Sequence, residues 1–269
     1  MSNTPWDIYS GRAKVHGLTK RDTILRREIH DLNTRLPDSL SYHTALIYDA
    51  EHGFNIDKYQ PGDDGVVMRN VAIINSDNLD EKYIFSMPGE DIENGSLVHW
   101  MDNYWLVVER DANTTVYTKA KLVQCNYLLK WVSSDREIVE QWCYVEDGTK
   151  YLTGEYEDRQ FIVTRGDSRI AITIARNSES AKLGREHRFL VDDEQSKVKL
   201  AYTLSKPLKF SGVYNKQGVF KWVLQEVQTT DFDNQELLIA DYYKYFPRDK
   251  DIYTPPASYD ESEGKKVWY

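Results

Sequence analysis

The sequence predicts a mainly β protein with one N-terminal helix, a β-barrel or sandwich, a second small β-domain and a flexible C-terminal tail. Three observations predict it. From Lys82 to Trp131, short apolar runs alternate with Gly, Asn and Asp turns at strand-like spacing. The chain carries 19 Tyr and 7 Trp, and aromatic side chains suit a pleated, half-buried surface. The stretch Thr19–Leu36 shows helical periodicity instead. A length of 269 residues leaves room for one or two domains with ordinary cores. The expected divisions are an arm and helix over 1–37, a β-barrel-like unit over 38–150, a second β-domain over 151–246 and a tail over 247–269.

The elements follow in order. The first ten residues are irregular and carry Trp6 and Tyr9, which either dock on a partner or fold back on their own domain. Thr19 reads as an N-cap with Asp22 reaching back to it, as in a capping box. Ile24, Leu25, Ile29, Leu32 and Leu36 recur at three- and four-residue steps on one helical face, and Pro37 stops the helix. Strands are then expected at Tyr42–Tyr48, Val66–Ile74, Glu81–Met87, Ser96–Trp100, Tyr104–Arg110 and Thr115–Val123. A hairpin of Tyr127–Ser133 with Glu137–Val145 completes about eight strands, a number that suits a closed or nearly closed β-structure. Glu51–Gly65, with its Gly, Asp and Pro, reads as a long loop.

A turn at Glu146-Asp147-Gly148 opens the second β-region. Its strands are expected at Gln160–Thr164, Arg169–Ala175, His187–Val191, Lys199–Leu204 and Val219–Val227. Periodicity does not decide between helix and strand for Asn234–Tyr245. Pro247–Gly264 is polar and expected to be flexible. The chain ends on the apolar tip Val267-Trp268-Tyr269, which reads either as a plug for a neighbouring subunit or as a frayed end.

Charge narrows the partners. The net charge is −9, so general attraction to nucleic-acid phosphates is not expected. The segment Gly11–Leu36 is nevertheless basic, while acids dominate from Glu226 onward. Such opposite-sign ends suit contacts between neighbouring copies, although solvated surface is the commoner fate of a charge run. Lys20 and Arg21 sit at the helix N-terminal end, where the dipole disfavours cations. That is a small hint of an anionic contact there. No apolar run approaches the ~20 residues needed to span a bilayer, and the first residues lack a signal-like apolar core. The chain is therefore expected to be made and folded in a cytosol, without membrane contact. Cys125 and Cys143 are expected close together across their hairpin, and two buried thiols are favoured over a disulfide in that compartment.

A reaction centre is hard to find. The six histidines, at 16, 30, 43, 52, 99 and 187, are scattered, and none pairs at metal-binding spacing. No metal and no cofactor is expected. Asp231–Glu236 reads as a solvated acidic turn able at most to hold Ca²⁺ weakly. There is no nucleophile-elbow, phosphate-loop or dinucleotide motif. Glu109 and Asp111 leave an acid–base carboxylate pair open on spacing, and Trp100, Tyr104 and Trp105 leave open a sugar-stacking face. No catalytic residue is assigned.

A family likeness enters at Met87-Pro88-Gly89-Glu90-Asp91-Ile92-Glu93-Asn94-Gly95, followed by Val98-His99-Trp100 and Tyr104-Trp105-Leu106-Val107. Here the chain resembles virion structural proteins of tailed bacteriophages, from phages and prophages of Gram-positive bacteria. The likeness continues through Gln124–Trp131, Glu146–Leu152, His187–Leu190, Gln225–Val227, Asp241–Tyr245 and the Val267-Trp268-Tyr269 ending. The order of turn, D-I-x-x-G, strand, turn and aromatic strand resembles the head-closure, or stopper, proteins of the neck. This chain is much longer than the smallest of those.

The resemblance implies a non-enzymatic, stopper-like barrel in a six- or twelve-fold ring of its own copies. It also implies contacts to portal or adaptor and tail proteins, with packaged DNA passing through unbound. Residence would be in the virion, after assembly in the host cytoplasm. The candidate assembly-interface residues are Trp6, Tyr9, Arg21, Arg26, Arg27, Val267, Trp268 and Tyr269.

Overall fold

The structure, a computed structural model, describes residues 19–111, 116–147, 169–192, 199–209, 212–214 and 217–248. It is mainly β with an N-terminal helix, as expected. Helix α1 spans Lys20–Arg35. The Thr19 side chain accepts from the Asp22 backbone at 3.2 Å, and the Asp22 carboxylate accepts from the Thr19 backbone at 3.0 Å. This reciprocal box satisfies donors that a helix start otherwise leaves bare. Pro37 follows in a short 3-10 turn, Leu36–Asp38.

Six strands then close into a barrel: β1 (Tyr42–Tyr48), β2 (Val66–Asn75), β3 (Glu81–Ser86), β4 (Leu97–Trp100), β5 (Asn103–Asp111) and β6 (Lys119–Gln124). The order around the barrel is β1-β2-β3-β6-β5-β4, all neighbours antiparallel, with β4 returning to β1 through Ile47↔Val98. Alternation sends Ala45, Ile47, Val71, Ile73, Ile84, Val98, Trp105, Val107, Ala120 and Leu122 inward, and Ile92 plugs the same core. The interior is packed side chain, not a channel.

The remaining strands form a second antiparallel sheet: β7 (Tyr127–Val132), β8 (Ile138–Asp147), β9 (Arg169–Ala175), β10 (Arg188–Val191), β11 (Leu200–Leu208) and β13 (Gln217–Val227), with two-residue β12 (Val213–Tyr214) paired to β13. The order is β10-β11-β13-β9-β8-β7. Its ends curl toward each other, but β7 and β10 share no strand ladder among the described residues. The Tyr127 hydroxyl bridges that seam, accepting from the Asp192 backbone at 3.0 Å and donating to the Leu190 carbonyl at 3.4 Å. Inside lie Trp131, Phe189, Phe220 and Trp222 with Leu129, Ile172, Ile174, Leu204 and Leu224.

Two expectations change here. The β7–β8 hairpin, placed on the first unit by the sequence, pairs through Cys143–Asp147 with β9 of the second sheet. The change of sheet thus falls at Cys125–Asn126, not near 150. The reason is long-range pairing: β6 already lies between β3 and β5, so the barrel has no free edge for the hairpin. Asn234–Tyr245 is neither one strand nor one helix. It makes an Asn234↔Ile239 bridge and then the short helix α3, Tyr242–Tyr245; α2 is the short helix Ser178–Lys182 after β9. The expected strand Gln160–Thr164 lies outside the described residues, as does the expected tail from residue 249 onward.

The two sheets share a third apolar cluster of Tyr48, Val66, Leu97, Leu106, Cys125, Ala175 and Val219. Asn55 extends this junction, accepting from the Glu140 backbone at 2.7 Å and donating to the Ile138 carbonyl at 3.2 Å. Gly95, at φ +86°, lies so close that an added Cβ would sit 2.4 Å from the Gly218 carbonyl oxygen. Only glycine fits both constraints. Cys125 and Cys143 are buried and unbridged, and burial pushes both thiols up, which keeps them protonated.

Candidate functional site

Of the candidate interface residues, Arg21, Arg26 and Arg27 lie on α1 and are exposed. Trp6, Tyr9, Val267, Trp268 and Tyr269 lie outside the described residues. No residue of α1 is buried. Ile24 is 56% exposed and Ile29 38%, so the apolar face read from the sequence is largely uncovered. Arg27 and Asp31 approach only to 3.9 Å at high exposure, a pair worth little.

The chemistry left open by the sequence does not assemble. Glu109 and Asp111 stand opposite Lys121 and Lys119 on β6, and both are exposed. That arrangement is a strand face of alternating charge. The aromatic trio splits. Trp100 and Trp105 face inward together, with ring centroids 6.2 Å apart, while Tyr104 faces outward and stacks on His99 and Trp142. The Lys82 ammonium lies 5.4 Å from the Trp105 ring and 5.9 Å from the Trp100 ring, and His43 leans on Trp100 at 4.9 Å. These groups lid one end of the barrel core and occupy the ring surface on which a sugar would stack.

His52, His99 and His187 likewise go to separate structural tasks. His52 pairs with Asp49 at 2.7 Å, His99 stacks on Tyr104, and His187 packs on Phe189. Among the described residues, no three His, Cys, Asp or Glu side chains come together as a metal site.

The most highly built polar site was invisible in the sequence. Arg188, at the start of β10, donates from Nη1 to Asp233 Oδ1 (3.0 Å), Asp241 Oδ1 (2.8 Å) and Thr230 Oγ1 (3.0 Å). From Nη2 it donates to Asp233 Oδ2 (2.8 Å) and the Gln228 carbonyl (3.0 Å). The Asp233 side chain is 0% exposed and also accepts from the Thr230 and Asp241 backbone. Burial alone would raise its pKa, but these backbone donors and the guanidinium outweigh it and hold Asp233 below the usual carboxylate range. The reading of Asp231–Glu236 as a solvated acidic turn is therefore corrected: Asp233 is a buried anchor, because a cation 45 residues away meets it. This latch straps the 228–246 segment onto the second sheet.

Beside the latch, a cleft of about 360 Å³ opens at the seam, lined by Trp131, Ser133, Lys182, Arg185, His187 and Tyr245 among others. Burial holds His187 down to about 4, against an upward pull from Asp241. Lys182 is already paired with Glu179 at 2.7 Å, and Arg188 with two aspartates. The cations of the cleft are thus largely spent on the fold itself.

The segment from Asp91 to Gly95 ties the barrel together and to the second sheet. Asp91 accepts from Thr118 Oγ1 at 2.7 Å and pairs with Arg110 at 2.9 Å. Ile92 enters the barrel core, Glu93 accepts from Gln217 Nε2 at 2.6 Å, and Gly95 abuts Gly218. Gln124–Tyr127 carries the chain from barrel to second sheet. No family model, no curated protein and no solved structure matches the chain.

Proposed function

We propose that this chain is a virion structural protein of a tailed bacteriophage, acting without catalysis as a ring-forming subunit of the head–tail connector. Its place is the neck, as a head-closure or stopper ring that retains packaged DNA and joins head to tail. The observation that carries the reading is the sequence likeness from Met87 to Trp131, whose residues occupy the barrel and its junction with the second sheet.

Physical features support it. The barrel core is filled, so a conduit for DNA would have to lie between copies in a ring. A net charge of −9 repels a polyanion and keeps it from sticking on exit. A basic helix and an acidic C-terminal region suit contacts that repeat head to tail around a closed ring. Portal or adaptor above and tail proteins below are the expected neighbours.

The test is imaging of purified virions carrying this chain, with mass spectrometry of the same particles. Density that fits the two joined sheets in the neck is the expected result. Density in the collar or tail instead would reassign the chain as a collar, tail-completion or minor tail protein. Absence of the chain from the particle overturns the reading.

A further inference from the structure

Helix α1 forms through its own capping box yet buries no residue, and it leaves Ile24 and Ile29 in water. A helix of 16 residues is marginal by itself, and most helical stability comes from covering an apolar face. Its segment Thr19–Leu36 holds five cations against three acids. The surface it calls for is apolar and rimmed with acid.

The latched C-terminal segment has that character. Phe232 (49% exposed), Leu237 (42%) and Tyr245 (37%) stand out from it, with the exposed carboxylates Asp231 and Glu236 alongside. Tyr243 donates its backbone N–H to the Phe232 carbonyl, which ties the two ends of the patch together. The cations within the segment are engaged. Lys244 pairs with Asp241 at 2.9 Å and lies 5.7 Å from the Phe232 ring centroid, and Arg248 lies 3.7 Å over the Tyr243 ring. From 249 to 269 the sequence adds five acids against three lysines. Arg188 and its partners hold the patch in one shape before any partner arrives, which lowers the ordering cost of binding. On the barrel, the exposed Val67 and Met68 are consecutive on β2 and point to opposite faces.

We infer that α1 of one copy docks on the Asp231–Tyr245 patch of the next copy, in a head-to-tail contact between unlike surfaces of identical chains. This rests on reading the chain as a self-assembling subunit, but it needs no virion. A contact between unlike surfaces repeats, and it closes into a ring when its rotation allows.

Two charge-reversed full-length variants test it by sedimentation velocity: Arg21→Glu/Arg26→Glu/Arg27→Glu, and Asp231→Lys/Glu236→Lys. All five positions are exposed, so circular dichroism should show both variants folded. The unaltered chain should self-associate at low salt and dissociate as salt rises. Each variant alone should associate about a hundredfold more weakly, because like charges then face each other. Mixed one to one, the variants should associate again, since every helix then meets a patch of opposite sign. Failure of the mixture to associate, undiminished association of either variant, or an unaltered chain that stays monomeric at about 100 µM and low salt would each overturn the inference. A chain absent from virions that still passes this test would overturn the virion reading and leave this contact standing.

Discussion

The two sheets solve the problem of the unpaired strand edge differently. The first closes on itself: β4 ladders back to β1, and an apolar core with an aromatic lid fills the space. The second, among the described residues, stops short of closure and spans the gap with side chains: the Tyr127 hydroxyl at the seam, and Arg188 strapping the 228–246 segment beside it. A closed ladder distributes its stability over many backbone bonds. A strapped seam concentrates it in a few polar groups, each left unpaired if its partner goes. The second sheet is therefore where single substitutions and acid should act first.

The sharpest way to break this comparison is Arg188→Met. It strands the buried Asp233 and should cost about 3–5 kcal/mol, read by urea unfolding. Hydrogen exchange should accelerate first at 228–246 and β10. Equal loss of protection in β1–β6 would show that the seam has no separate weakness. The barrel counterpart, Arg110→Ala, removes the partly exposed pair with Asp91 and should cost about 1 kcal/mol or less.

Acid is the next largest effect. His187 titrates near 4 when folded and near 6.5 when unfolded, so below pH 6.5 the unfolded chain binds the extra proton. Stability is complete above pH 6.5 and falls as pH drops toward 4, by about 3 kcal/mol in all. His187→Phe should flatten that slope in thermal melts run from pH 7 to pH 4. An unchanged slope would place the acid sensitivity elsewhere. Asp233, also held low, adds a further loss at more acidic pH.

Tyr127→Phe should cost about 1–2 kcal/mol, because the Asp192 backbone loses its acceptor in a partly buried place. The effect should appear as faster exchange at Asp192 with the barrel unchanged. Smallest is Thr19→Ala, about 1 kcal/mol. It should lower the helical circular dichroism of α1 and leave both sheets intact, since no residue of that helix is buried.

How much of this was legible varies by residue. Thr19 and Asp22 announced their capping box because its partners sit three residues apart. The strands Tyr42–Tyr48 and Val66–Ile74 were legible, but not which face turns inward, because Val71-Ala72-Ile73-Ile74 is apolar throughout. The three helix arginines lie exposed on the helix that the periodicity implied, but the uncovered Ile24 and Ile29 beside them were not foreseen. Trp100 and Trp105 share a face, and nothing local said that Lys82 would cover it. The Arg188 latch left no trace, because its carboxylates lie 45 and 53 residues away in a stretch that reads as ordinary acidic turn.

By itself the sequence determined the mainly β class, the capped N-terminal helix, most strand positions and the free, buried state favoured for both thiols. These depend on backbone geometry and on neighbours a few residues apart. Only the tertiary structure decided that β6 inserts between β3 and β5, that the β7–β8 hairpin joins the second sheet, and that Asp233 is buried on Arg188. Strand pairing is chosen among edges that look alike locally, and a charge goes inside only when a distant partner meets it there.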